Sequence, residues 1–108
     1  ESLLDSVMGD RALLSEMAGL WLTDSVKQVK QIESGLESGD ATMIQGAAHA
    51  LKGSVGTFQA SDAQEAAKEL EISARDGDMV RARKVFQKLL KHIDLLSQDL
   101  RRLSRDER

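Results

Sequence analysis

The sequence predicts an all-α protein, an antiparallel four-helix bundle with a short additional N-terminal helix. Three observations carry this expectation. The 108-residue chain has no Pro and no Tyr, one Trp (Trp21) and two Phe (Phe58 and Phe86). A chain so poor in aromatic and β-branched residues, and rich in Ala, Leu, Glu, Lys and Arg, suits helices and not sandwiches or barrels. The dipeptide Gly-Asp recurs at 9–10, 39–40 and 77–78. Gly turns left-handed just past a helix end, and Asp caps the free N–H groups of the next helix. Between these marks the apolar residues recur in steps of three and four.

The elements follow in order. Leu3, Leu4 and Val7 suggest a short leading helix over 1–8. The segment 10–38 carries Leu14, Met17, Trp21, Val29, Ile32 and Leu36 at helical spacing, with Ser25 interrupting the stripe. Over 40–58 the stripe is Ile44, Ala48, Leu51, Val55 and Phe58. A break near Gln59-Ala60 precedes a third helix over 62–76, with Ser61 or Asp62 as candidate cap and Ala63, Ala67, Leu70 and Ala74 as its apolar face. The segment 78–103 is the most regular: Met79, Ala82, Phe86, Leu89, Ile93, Leu96, Leu100 and Leu103. The charged residues 104–108 are expected to fray. A long heptad-like run also suits an intermolecular coiled coil, but the short breaks favour packing within one monomeric chain.

Composition excludes several functions. With no Cys there is no disulfide scaffold, thiolate metal site or cysteine nucleophile. Two His, His49 and His92, make a histidine-rich metal site unexpected. The net charge of -3 leaves no basic face for nucleic acid. No apolar run approaches the ~20 residues that cross a bilayer, so no direct membrane contact is expected. The chain opens on Glu1 and not Met, as a domain of a longer protein does.

The second helix holds a distinctive group. With His49 set at zero on a helical wheel, the apolar seam falls between roughly 180° and 260°. His49 therefore lies on the outer face. Gln45 sits one turn before it, Lys52 and Gly53 one turn after, and Gly56 two turns after. Glycines within a helix cost about 1 kcal/mol each relative to Ala, and the seam does not need them. On this reading Gly53 and Gly56 leave the imidazole clear for a partner's close approach. Lys52 puts a cation beside it without touching the seam. Near neutral pH an imidazole is in large part uncharged and nucleophilic. His92 lacks such company and is given no role.

The run His49-Ala50-Leu51-Lys52-Gly53-Ser54-Val55-Gly56-Thr57-Phe58-Gln59-Ala60 resembles the signature of histidine-containing phosphotransfer (HPt) domains. Leu70-Glu71, Ala74-Arg75 and Gly77-Asp78 resemble that family's third helix and turn, and Gly9-Asp10 before Leu13-Leu14 fits its start. The family fold is a four-helix bundle. Gln59 departs from the family, which usually has Gly there. The resemblance implies a phosphoryl carrier of a two-component phosphorelay. His49 would be phosphorylated on Nε2, and Lys52 and Gly53 match the family's lysine and glycine. With that chemistry, Lys52 is assigned to support of the phosphoryl group, Gly53 and Gly56 to access, and Gln45 to a hydrogen bond or the rim of the docking face. Its partners would be response-regulator receiver domains, which supply the magnesium ion, so the carrier needs no cofactor of its own. A histidine kinase in the same chain, hybrid or chemotaxis-type, is a further implied partner, and the cytoplasm the implied location. No Gly-rich nucleotide loop is present, so no kinase activity of its own is expected. The alternative is a non-phosphorylated scaffold or dimerisation bundle.

Overall fold

A computed structural model describes residues 11–106, and the expected leading helix over 1–8 lies outside the described residues. Four helices follow one another: α1 (Arg11–Ser38), α2 (Ala41–Thr57), α3 (Ser61–Arg75) and α4 (Met79–Asp106). They form a rod 45 × 20 × 18 Å. Contacts run α1 to α2, α2 to α3, α3 to α4 and α4 back to α1, so α2 and α4 stand on a diagonal. The long helix α4 therefore lies across the bundle from α2.

The punctuation works as the Gly-Asp pairs imply. Gly39 and Gly77 are left-handed, at φ 76° and 74°. Asp40 accepts from Met43 N at 3.1 Å and Asp78 from Arg81 N at 3.0 Å, each satisfying a donor in the first turn of its helix. The α2–α3 corner differs from expectation. Neither Ser61 nor Asp62 caps α3; Ala60 holds the cap position with no side-chain bond. Gln59 turns left-handed at φ 57°, and Ala60 already accepts from Gln64 N at 2.9 Å, so α3 starts a residue early. Asp62 falls in the first turn, where its charge meets the helix dipole. At the other end, the tail expected to fray from 104 continues in helix to Asp106. Bonds at helical spacing, Gln98 to Asp94 and Arg102 to Asp99, lie in the turns that precede it.

The core collects the predicted stripes. Leu14, Trp21, Ile32 and Leu36 of α1, all five stripe residues of α2 and its corner, Leu70 of α3, and Phe86, Leu89, Ile93, Leu96 and Leu100 of α4 are buried. Ser25 does not break the seam of α1; it is buried within it. Ser97 of α4 accepts from Trp21 Nε1 at 3.2 Å, satisfying the one polar atom that burying the indole brings in. Alanine is prominent among the buried residues of α2 and α3: Ala47, Ala48, Ala63, Ala66, Ala67 and Ala74. Small side chains bring these two helices close, so long polar side chains on their shared outer edge reach across. That closeness builds the site.

Candidate functional site: an exposed histidine tied to a carboxylate

His49 stands on the outer face of α2, its side chain 68% exposed. The α2–α3 hairpin folds about Ala60, which puts residue 49 level with 71 and residue 56 level with 64. Glu71 of α3 therefore faces His49, and one carboxylate oxygen lies 3.0 Å from Nδ1 of the ring. The other oxygen accepts from the Lys52 ammonium at 2.8 Å. A single carboxylate thus binds the imidazole and the cation together.

The charge state of Glu71 decides the chemistry. The Lys52 hydrogen bond holds its carboxyl below the usual value of 4.5; partial burial opposes this and the His49 bond adds to it. At neutral pH Glu71 is ionised and can only accept hydrogen bonds. Nδ1 must then be the donor, and in the neutral ring the lone pair resides on Nε2. That nitrogen is the one turned away from Glu71. The result is an oriented imidazole on a largely exposed side chain.

The two flanks of His49 differ. On the α3 side lie Lys52, Gln45 and Gly56. Lys52 is only 29% exposed and Glu71 25%, so their ion pair is partly covered. Gln45 is half-buried and its side chain forms no hydrogen bond. At Gly56 the space beside the backbone is taken by a side chain of α3. A Cβ there would meet Nε2 at the end of the flexible Gln64 side chain at 2.5 Å. Gln64 Nε2 lies 3.4 Å from the Lys52 carbonyl, within reach to donate to it. On the other flank a Cβ on Gly53 would meet nothing within 4 Å, and the same is true of Gly46, one turn before His49. Gly53 and Gly46 thus form an open strip on this flank. Beyond that lane, α1 presents Met17 and the exposed Leu20 above a notch shared with Ser54 and Thr57 of α2.

Among the expected residues, the structure joins His49 and Lys52 through Glu71, leaves Gly53 open, and sets the end of the Gln64 side chain beside Gly56. Glu71, Gln64 and Gly46 add to them. Glu71 and Gln64 are found by reflecting α2 onto α3 about Ala60, a register that a single-helix wheel does not contain. His92 is half-buried on α4, beside the α2–α3 corner and away from this group. Among the described residues no cluster of three or more metal-ligating side chains occurs, and no helix is long and apolar enough to cross a membrane.

No curated protein and no solved structure gives a significant match to the chain. The family model named Hpt domain matches residues 16–105, which span all four bundle helices apart from the first residues of α1 and the last of α4. The chain belongs to the Hpt domain family.

Proposed function

We propose that this domain carries a phosphoryl group on Nε2 of His49, exchanging it with the aspartate of a response-regulator receiver domain. One observation carries the reading: Glu71 binds Nδ1 and leaves Nε2 exposed with its lone pair. In transfer from a receiver, that lone pair attacks phosphorus, the P–O bond to the receiver's aspartate breaks, and the bonding pair leaves with the carboxylate oxygen. Nδ1 keeps its proton, so the phosphorylated ring begins as an imidazolium bonded to Glu71. In the reverse transfer the P–N bond breaks and the pair returns to Nε2. Lys52 supplies positive charge one helical turn away, and Gly46 and Gly53 let the receiver come close. The chain itself brings no cofactor; magnesium belongs to the receiver, and most of the charge stabilisation of the transition state with it. The apolar rim at Met17 and Leu20 supports protein docking on the α1 side of the ring. Working with receivers implies a cytoplasmic setting and a carrier with no kinase activity.

The test is label transfer. A phosphorylated receiver should give this chain an acid-labile, base-stable label, lost in His49→Ala and kept in His92→Ala. A set of receivers that leaves wild type unlabelled would favour the scaffold alternative. Label surviving His49→Ala would move the site elsewhere.

A further inference from the structure

The two oxygens of Glu71 serve two donors, the Lys52 ammonium and the His49 ring. Before transfer, one oxygen holds the Lys52 ammonium at 2.8 Å and the other the His49 ring at 3.0 Å. With a neutral ring, the three side chains sum to zero charge. Phosphorylation of Nε2 adds a dianion on the far side of the same ring and leaves the ring itself cationic. Lys52 then has two anionic partners within reach of its flexible stem, and the phosphoryl group carries the larger charge. Glu71 has only one strong donor left, the Nδ1–H.

We propose that Glu71 works as an exchange post, holding Lys52 while the ring is free and passing it to the phosphoryl group on transfer, after which the carboxylate keeps the Nδ1 proton in place and the phosphohistidine labile. This deepens the carrier reading and rests on it. The chemistry follows from the leaving group. A phosphoryl group leaves readily from a ring protonated at Nδ1, because the departing imidazole is then neutral. It leaves poorly from an unprotonated ring, whose departure would produce an imidazolate. A carboxylate within hydrogen-bond distance of Nδ1 favours the protonated phosphorylated ring. Glu71 therefore acts as a positioning residue that sets how long the carrier retains its cargo. The other charged groups around the ring are few. Lys68 and Arg75 lie one turn either side of Glu71 on α3, Arg75 beside Asp76, and Asp24 of α1 lines the notch next to Ser54. None is bonded to the ring or to Glu71.

Glu71→Gln separates the two duties. The amide oxygen still accepts from Nδ1–H, but the charge that holds Lys52 and the ring proton is gone. The full chain, wild type and variant, is phosphorylated with potassium phosphoramidate: Nε2 attacks phosphorus, the P–N bond of the donor breaks, and ammonia leaves. Phosphohistidine is then followed by ³¹P NMR and its loss timed as a function of pH. The variant should hold the phosphoryl group about tenfold longer near neutral pH, and its loss profile should shift to lower pH. In wild type the ¹⁵N signal of the Lys52 ammonium should move on phosphorylation. Equal lifetimes and coincident pH profiles overturn the proposal. So does a Lys52 signal that stays still in wild type, a result independent of how well the variant folds. A wild-type chain that takes no phosphoryl group on His49 defeats the carrier reading itself, which distinguishes that failure from the failure of the exchange.

Discussion

Gln59→Gly should stabilise this domain, and the chain contains its own controls. Gln59 ends α2 with φ 57°, a left-handed conformation. Its N–H bonds to the Gly56 carbonyl at 3.0 Å and the next N–H, of Ala60, to Val55 at 3.1 Å. The end of α3 repeats this pattern with Gly77, whose N–H reaches Ala74 at 3.0 Å while that of Asp78 reaches Ser73 at 2.9 Å. At the end of α1, Gly39 is followed by the equivalent outer bond, Asp40 N to Gly35 at 2.9 Å. Two of the three turns use the residue that adopts this conformation freely, and the third places a side chain there. The left-handed conformation costs a side-chain-bearing residue roughly 1–2 kcal/mol. Glycine returns about 0.5–1 kcal/mol of that through the extra freedom of its unfolded state. The Gln59 side chain is exposed and unbonded, so little else is lost. The net gain should be about 0.5–1 kcal/mol, which at about 4–8 °C per kcal/mol raises Tm by roughly 2–8 °C. Gly77→Ala should lower stability by the same amount, since a Cβ there meets nothing within 4 Å and only the backbone is penalised. Thermal melts of the three proteins measure this directly. A Gln59→Gly variant that melts at or below wild type would refute the reasoning. Phosphoryl transfer should be unchanged, because the turn lies ten residues from His49.

Other expectations follow from the same geometry. Gly53→Ala should add up to about 1 kcal/mol of stability, and Gly53→Gln should slow receiver-dependent labelling while helicity by circular dichroism is retained. Gly56→Ala should gain less, because its Cβ displaces Gln64. Lys52→Ala should slow transfer by roughly tenfold, about 1.4 kcal/mol, and also cost about 1 kcal/mol of stability, because it strips a partly covered carboxylate of its main partner. Leu96→Ala, in the core, should cost about 2–5 kcal/mol in melts without altering transfer by the folded fraction. The pH dependence has a definite sign. The carboxyl of Glu71 is held below 4.5 in the folded state, so its contribution is complete above that pH and is lost as pH falls through the folded value. Wild type should therefore lose its Tm advantage over Glu71→Gln below pH 4.5; parallel loss in both proteins would contradict the assignment.

The bundle was legible because each helix carries its burial pattern within itself. Leu14, Trp21, Ile32, Leu70, Phe86 and Leu89 are buried where the spacing puts them. The outward placement of His49 follows from the same periodicity. What a single helix cannot disclose is its neighbour. The wheel groups Gly53 and Gly56 together because both point to the side of the ring; only the α2–α3 packing separates the open position from the one beneath Gln64. Lys52 was expected as a solvent-facing cation, and the pairing with Glu71 covers much of it. Glu71 was visible only as part of a Leu-Glu pair, since its role depends on the register across the corner at Gln59 and Ala60. That corner was itself the hardest element to read: it ends one helix through an unusual left-handed Gln and begins the next with no side-chain cap.

The central claim is that Nε2 of His49, set free by the Glu71 bond at Nδ1, accepts the phosphoryl group. The most direct measurement is ¹⁵N NMR of the histidine rings near neutral pH, before and after phosphorylation. The account predicts that the neutral form of His49 is protonated at Nδ1 before transfer, and that the phosphorus coupling then appears on Nε2 of His49. A neutral ring protonated at Nε2, or phosphorus coupled to Nδ1 or to His92, would contradict it.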